Sequence, residues 1–315
     1  MLSYLVRIAV GLASARRKLL ILTYHRVLAE RDPLMPEEPT REEFAEQLEA
    51  LSSCATILPL GAALSHMQSG TLPAAAVSLT FDDGYRDNYT VAAPVLTSFG
   101  VGATFFVATG FMDGGAMWND QAIETLRRHT GKSLDLTPLG LGVYDMSTDQ
   151  ARTQAVRLLL SKLKYLPPEE RAKTVAAIAD AVGSAPRERC MMTPDEIVGL
   201  RRAGMEIGAH TVSHPILAKL DSAAADDEIA ASKKALERIL GDSIELFAYP
   251  NGKPGVDYKP EHVESVRRSG FTAAVTTATG YASAHSDRLQ LPRIALWQRE
   301  PLRTQVQLLR SYLGA

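Results

Sequence analysis

Eight short apolar runs, most of them rich in β-branched residues, recur along the chain at residues 19–23, 56–58, 76–81, 104–108, 205–209, 245–249, 272–276 and 291–295. Runs of this kind read as strands. Helical patterns lie between most of them. Residues 40–52 open on Thr40 with Glu43 three positions on, a capping-box pairing, and residues 88–99, 221–240 and 260–269 space their apolar side chains by three and four. Strand and helix alternating in this way constrain the chain to an α/β fold built on a parallel sheet or barrel.

One stretch breaks the rhythm. Residues 118–189 hold helical patterns at 120–129, 147–163 and 168–182 with no convincing strand between them. The expectation is a single domain over residues 1–315 with a helical insertion at about 118–189, serving as a lid, a partner surface or a packing layer.

Composition narrows the function classes. Of 315 residues, 46% are apolar and 22% charged, which argues against disorder and a membrane-spanning bundle. A net charge of −2 supplies no basic field for a phosphate backbone, so nucleic acid is not an expected partner and a polar small molecule or glycan is. Cys54 and Cys190 lack any paired spacing and suggest no disulfide scaffold. Residues 1–15 are apolar, but Arg7 interrupts them and Arg16, Arg17 and Lys18 follow, the reverse of the order in a secretory signal. The expected location is cytoplasmic, without a transmembrane span. The N-terminal segment is then a packed or solvated helix or, alternatively, a peripheral membrane contact.

Two strand ends concentrate polar chemistry. The run 76–81 passes into Asp82, Asp83 and Gly84. Successive strand residues point to opposite faces, so both carboxylates reach one site only where the strand breaks into a loop. The run 205–209 passes into His210 and, four residues on, His214, with Pro215 next; this puts His210 at the strand end and His214 where a helix begins. Two imidazoles and a carboxylate form the open three-ligand set of a catalytic zinc. Asp83 is the natural third ligand, and Asp82 is then a base for the attacking water. The alternative is that both aspartates cap the next helix and the histidines bond each other or the backbone.

The motif TFDDG at 80–84, HTVSH at 210–214 and FAYPNG at 247–252, in this order at strand ends, resembles the polysaccharide deacetylases of the carbohydrate esterase 4 or NodB-homology type. The resemblance is strongest over residues 76–108 and 193–276 and leaves 125–188 outside it. It implies a distorted (β/α) barrel, a divalent metal held by Asp83, His210 and His214, and Asp82 as catalytic base. Two positions depart from the family pattern. The arginine that usually steadies the base is replaced by Ala248, which leaves Arg293 as a candidate to reach in. The usual late Leu-x-His motif is missing, but Tyr24-His25-Arg26-Val27 looks like the start of the deacetylases acting on poly-N-acetylglucosamine, whose barrel is circularly permuted. That resemblance gives His25 the general-acid role; the alternative is a histidine that only hydrogen-bonds at a strand end.

Acetamide hydrolysis passes through an oxyanion that a backbone N–H can stabilise. Pro250 has none, so the donor is expected at Asn251 in preference to Gly252. Tyr85, Tyr249 and Trp118 are candidate aromatic surfaces for a sugar ring. The expected function is metal-dependent removal of N-acetyl groups from an amino-sugar polysaccharide or oligosaccharide, releasing acetate. Zn2+ is the expected metal, and the donor set also suits Co2+, Ni2+ and Fe2+. The alternatives are deacetylation of a lipid-linked sugar or a non-sugar amide, and a decayed glycan-binding protein.

Overall fold

The computed structural model describes residues 9–10, 17–113, 115–183, 189–296 and 298–314. A curled, wholly parallel sheet forms its centre. The strands are β1 (Leu19–Tyr24), β2 (Thr56–Ile57), β3 (Ala76–Phe81), β4 (Thr104–Val107), β7 (Glu206–Ala209), β8 (Leu246–Ala248), β9 (Ala273–Val275) and β10 (Ile294–Ala295), one within each run read as a strand. Their order is β10-β1-β3-β4-β7-β8-β9, with β2 also pairing β3. Six consecutive pairs, from Leu19 with Ala76 to Tyr24 with Phe81, fix the register of β1 on β3.

The sheet is buried on both faces, which is why its strands read as continuous apolar runs. Leu20, Leu22, Val77, Leu79 and Phe81 pack outward against the helix layer, whereas Leu19, Ile21, Ala76, Phe106 and Val275 face a second, inner cluster. On the outer side Phe81 stacks on Tyr24 and Phe105 and meets Phe44 edge-on. Phe44 comes from α1 (Arg41–Ser52), whose Thr40–Glu43 capping box is formed as the sequence implies.

The helix α2 (Leu60–Gln68) closes the N-terminal end of the sheet. Its Leu60 N–H donates to Thr104 Oγ1 and its Gly61 N–H to Glu206 Oε2, on the first residues of β4 and β7. The two edges of the sheet are joined by one segment: Leu291 bridges to Val275 of β9, while Ile294 and Ala295 pair with Leu22 and Thr23 of β1. Arg293 therefore sits between both edges of the curl.

The pattern at 88–99 resolves into a π-helical turn at Asn88–Ala92 followed by α3 (Ala93–Ser98). Beyond β4 come α4 (Trp118–Arg128), α5 (Asp149–Leu163) and α6 (Pro168–Val182). This stretch is not wholly helical, because β5 (Ser133–Asp135) and β6 (Val143–Asp145) form an antiparallel hairpin within it; three-residue strands carry too little alternation to be seen in sequence. Leu126, Leu134, Leu159 and Ile178 give this layer its own apolar cluster, joined by Leu34 from the loop after β1. The remaining helices are α7 (Pro194–Arg202), α8 (Ser222–Leu240), α9 (Pro260–Arg268) and α10 (Pro301–Leu313).

Both cysteines are buried. Among the described residues no helix is long and apolar enough to cross a membrane. The expectation of an N-terminal membrane-contacting helix at residues 1–15 falls mostly outside the described residues.

Candidate active site

Polar side chains gather at the C-terminal ends of β1, β3, β7 and β8, the end where parallel α/β sheets present loops. After β3, the Asp82 N–H still donates to Tyr24 O of β1 at 3.0 Å, while Asp83 turns out of the strand with φ of 76°. This break lets two adjacent carboxylates face one cleft. Gly84 completes the turn at φ of 88°, and a Cβ there would stand 3.0 Å from Val107 Cγ1.

His210 continues β7 and is buried, and its Nδ1–H donates to Ala248 O at 2.7 Å. The carbonyl can only accept, so Nε2 keeps its lone pair for the cleft. His210 Nε2 lies 3.4 Å and His214 Nε2 3.3 Å from Asp83 Oδ1. The three donor atoms fall within 4.8 Å of one another. Asp83 Oδ1 is buried and receives no hydrogen bond from the described residues. A buried carboxylate oxygen facing two imidazole lone pairs is costly unless a cation bridges them, so the residues present fit a divalent metal.

His214 does not open a helix as its neighbour Pro215 suggests. It sits at φ of 53° in a loop that also holds Thr211 at φ of 62°, a strained value for a β-branched residue. Glu228 of α8 secures this loop: Oε2 accepts the Val212 and Ser213 N–H groups at 2.8 and 2.9 Å, and Oε1 accepts the Ser213 hydroxyl.

Arg293 reaches the Asp82 carboxylate. Its NH1 donates to Oδ1 and its NH2 to Oδ2, both at 2.7 Å, and its Nε donates to Thr276 O. Both side chains are buried.

The charges tune one another. Burial pushes Asp82 up, but Arg293 and His210 outweigh it and hold the carboxyl below the usual range. Asp83 is likewise pushed up by burial and then brought well below the usual range by His214, His210 and His25. His214 is lowered to about 4, by burial first, with Asp83 opposing and His210 adding. For His25, burial acts downward, yet Asp83, Asp82 and Glu38 together raise it.

A cleft of about 580 Å³ joins His25, Asp82, Asp83, His210, His214 and Asn251. Asn251 has φ of 59°, and the Gly252 N–H turns back onto Pro250 O at 2.6 Å. That leaves the Asn251 N–H without a partner among the described residues. Trp118 and Tyr85 also line the cleft, although one face of the Tyr85 ring is covered by the Arg26 guanidinium at 4.5 Å. Tyr249 is a correction: it is fully buried, stacks on Tyr258 at 3.9 Å and donates to Leu289 O, so it belongs to the core and not to a sugar platform. A strand-end aromatic can face either way, and here the outward apolar layer claims it.

Sequence reasoning missed Glu38, Arg26 and Asp120 in the cleft. Arg26 adjoins His25 and is fixed by Asp87, so the YHRV and DDGYRD runs held a signal. Glu38 lies in the irregular loop before α1, where no periodicity marks it.

A closed-up parallel sheet with Asp83, His210 and His214 converging at its strand ends defines a (β/α) barrel protein whose site can hold a divalent cation. The chain belongs to the polysaccharide deacetylase family, whose model matches residues 69–156 and 161–274, and so to enzymes that cleave amide bonds. The match extends through most of the stretch that the motifs had left aside. YxkH of Bacillus subtilis, which carries the polysaccharide deacetylase name, is 24% identical over 279 residues, covering 88% of this chain and 71% of that protein.

Solved structures share the fold. The Streptococcus pyogenes deacetylase PplD, in complex with acetate, superposes with a TM-score of 0.62 at 22% identity, covering 93% of this chain and 98% of its own. IcaB from Ammonifex degensii gives 0.59 at 20% identity, covering 93% and 97%.

Proposed function

We propose that this protein removes N-acetyl groups from an amino-sugar polysaccharide or oligosaccharide, with Asp83, His210 and His214 holding a divalent metal, most simply Zn2+. When bound, the metal supplies Lewis acidity, polarising the acetyl carbonyl and lowering the pKa of a water toward neutrality. Asp82 takes the proton of the attacking water. A carboxylate held low by Arg293 is a weak base, which suits a water already acidified. The Arg293 fork fixes the orientation of both Asp82 oxygens, the part that an arginine of the third motif plays in relatives where this chain has Ala248.

The Asn251 N–H is the donor offered to the developing oxyanion. His25, the first residue after β1 and facing the same cleft, gives a proton to the departing amine; its raised affinity for a proton suits that role. An acid supplied from ahead of the Asp82–Asp83 pair matches the permuted arrangement that the YHRV run suggests. Residues 118–189 are then an insertion that walls the substrate cleft of one catalytic domain.

The observation that carries this reading is the buried Asp83 oxygen facing two imidazole nitrogens beside an Arg-clamped Asp82. The intact constellation counts against a decayed binding protein. Acetate release from N-acetylglucosamine oligomers by the metal-loaded protein tests it, with bound metal measured alongside. Asp82→Asn is expected to keep the metal and lose turnover; unchanged turnover would remove Asp82 from the mechanism.

A further inference from the structure

The cleft has two ends of opposite charge. One holds Asp82, Asp83 and the histidines; the other is formed by α5 and α6, where Lys164 and Arg171 line it beside the apolar Val156 and Leu160, Arg157 there being paired with Glu37. Arg171 is the unusual member. Its side chain is buried against the Trp118 ring, 4.9 Å from the centroid, and among the described residues no carboxylate pairs with it. One of its five N–H donors is engaged, by Lys164 O at 3.1 Å.

Burial alone accounts for the downward pull on its basicity, with no opposing acidic neighbour. A buried guanidinium without a counter-charge is costly, and buried charges are normally paired. Lys164, half-buried at the same wall, adds a second cation without an acidic partner among the described residues.

We infer that Arg171, with Lys164, forms a subsite for an oxyanion carried by the substrate, so that the acetylated amino sugar bears a phosphate or carboxylate group at a distance from its acetamide. This deepens the deacetylase reading and rests on it. The acidic end of the cleft receives the neutral acetamide, and the cationic end receives the anion. The apolar wall between them suits the faces of sugar rings or an attached chain. A merely structural Arg171, capping the end of α5 through Lys164 O, predicts no preference for charge.

Calorimetric titration of the full-length protein separates the two. The probes are N-acetylglucosamine, N-acetylglucosamine 1-phosphate and the disaccharide of glucuronate with N-acetylglucosamine. At least one anionic probe is expected to bind on the order of tenfold tighter than the neutral sugar, and which one does identifies the oxyanion. Arg171→Gln is expected to abolish that preference and leave neutral-sugar affinity unchanged, while Arg171→Lys keeps part of it. Lys164→Gln, at the half-buried second cation, is expected to weaken anionic binding alone and serves if Arg171→Gln does not fold. Equal affinity for neutral and anionic probes overturns the inference, as does an equal loss for all three probes in Arg171→Gln. Acetate assays on neutral oligomers keep the two readings apart: turnover without anion preference overturns the subsite alone, and anion preference without acetate release from the oligomers or any probe supports the anion site and overturns the deacetylase reading.

Discussion

Arg293 and Asp82, separated by 211 residues in sequence, meet in a two-pronged ion pair with both N–O distances at 2.7 Å. The contact depends on topology: residues 291–295 link the two edges of the curled sheet, and β1 lies between β10 and β3. Removing one partner of a buried pair strands the other charge. Arg293→Met is therefore expected to destabilise the protein by about 3–5 kcal/mol at neutral pH, read from denaturant unfolding. Asp82 is held below its unfolded pKa, so its contribution is full above that unfolded value of about 4 and is lost as the pH falls on through the lower folded pKa. The gap between wild type and Arg293→Met should accordingly narrow on acidification. A constant gap would show that the pair does not act through Asp82 ionisation.

His214 gives a stability slope of the same sign through a different cause. Its pKa falls from an ordinary 6.5 to about 4, chiefly by burial, so between these values the unfolded chain binds a proton that the folded chain refuses. Stability of the metal-free protein should rise with pH across that window, by at most about 3 kcal/mol. His214→Asn, which tolerates the positive φ, should flatten the slope; an unchanged slope assigns it to other groups.

Metal removal should act through Asp83. With free metal about a thousandfold above its Kd, the wild type should gain about 4 kcal/mol over the chelated protein. Asp83→Asn is expected to lose this gain, and in the metal-free state to be modestly less stable than the wild type near neutral pH, because the histidines hold the ionised Asp83 carboxylate favourably. Differential scanning calorimetry with and without a chelator reads both effects. An Asp83→Asn protein that still gains the full amount of about 4 kcal/mol from metal would remove Asp83 from the ligand set.

If His25 protonates the departing amine, the loss caused by His25→Ala should depend on the leaving group. On an N-acetylated sugar, turnover should fall by about 10²–10⁴-fold. On 4-nitrophenyl acetate, whose leaving group departs without a proton, the variant should stay within a few-fold of the wild type. Equal losses on both substrates would assign His25 a structural role, such as holding the backbone carbonyl that accepts from Asn88 Nδ2.

What the sequence disclosed follows the range of the forces involved. The run 76–81 coincides with β3, and Thr40 with Glu43 caps α1 as read, because strand alternation and capping are local. Asp83 and His210 were legible because each lies just past a recognisable strand, and His214 because it follows His210 by four residues. Arg293 was visible only as a candidate, since its partner is chosen by sheet closure. Tyr249 was misassigned because a strand end does not reveal which face an aromatic takes, and Arg171 gave no signal on a helix already rich in charge. The hairpin β5–β6 and helices α2 and α7 escaped because they are short, whereas the thirteen-residue α10 carries a helical pattern that the reading of the runs left aside.

The last expectation concerns a residue that touches no substrate. Glu228 accepts two backbone N–H groups and a hydroxyl from the loop between His210 and His214, in which Thr211 and His214 both hold positive φ. Strained backbone of this kind persists only when its surroundings fix it. Without the clamp the loop relaxes, and the His214 nitrogen leaves its place 3.3 Å from Asp83 Oδ1. Glu228→Ala should weaken metal binding by about 10–100-fold, the usual cost of losing a residue that orients a ligand, while the fold holds because Glu228 is only half-buried on α8. Glu228→Gln, whose amide oxygen still accepts from the backbone, should recover part of the affinity. The readouts are metal affinity by competition with a chromogenic chelator, and kcat at saturating metal, which should return toward the wild-type value in both variants. A kcat that stays low with metal fully bound would place Glu228 in the chemistry instead of in the support of His214.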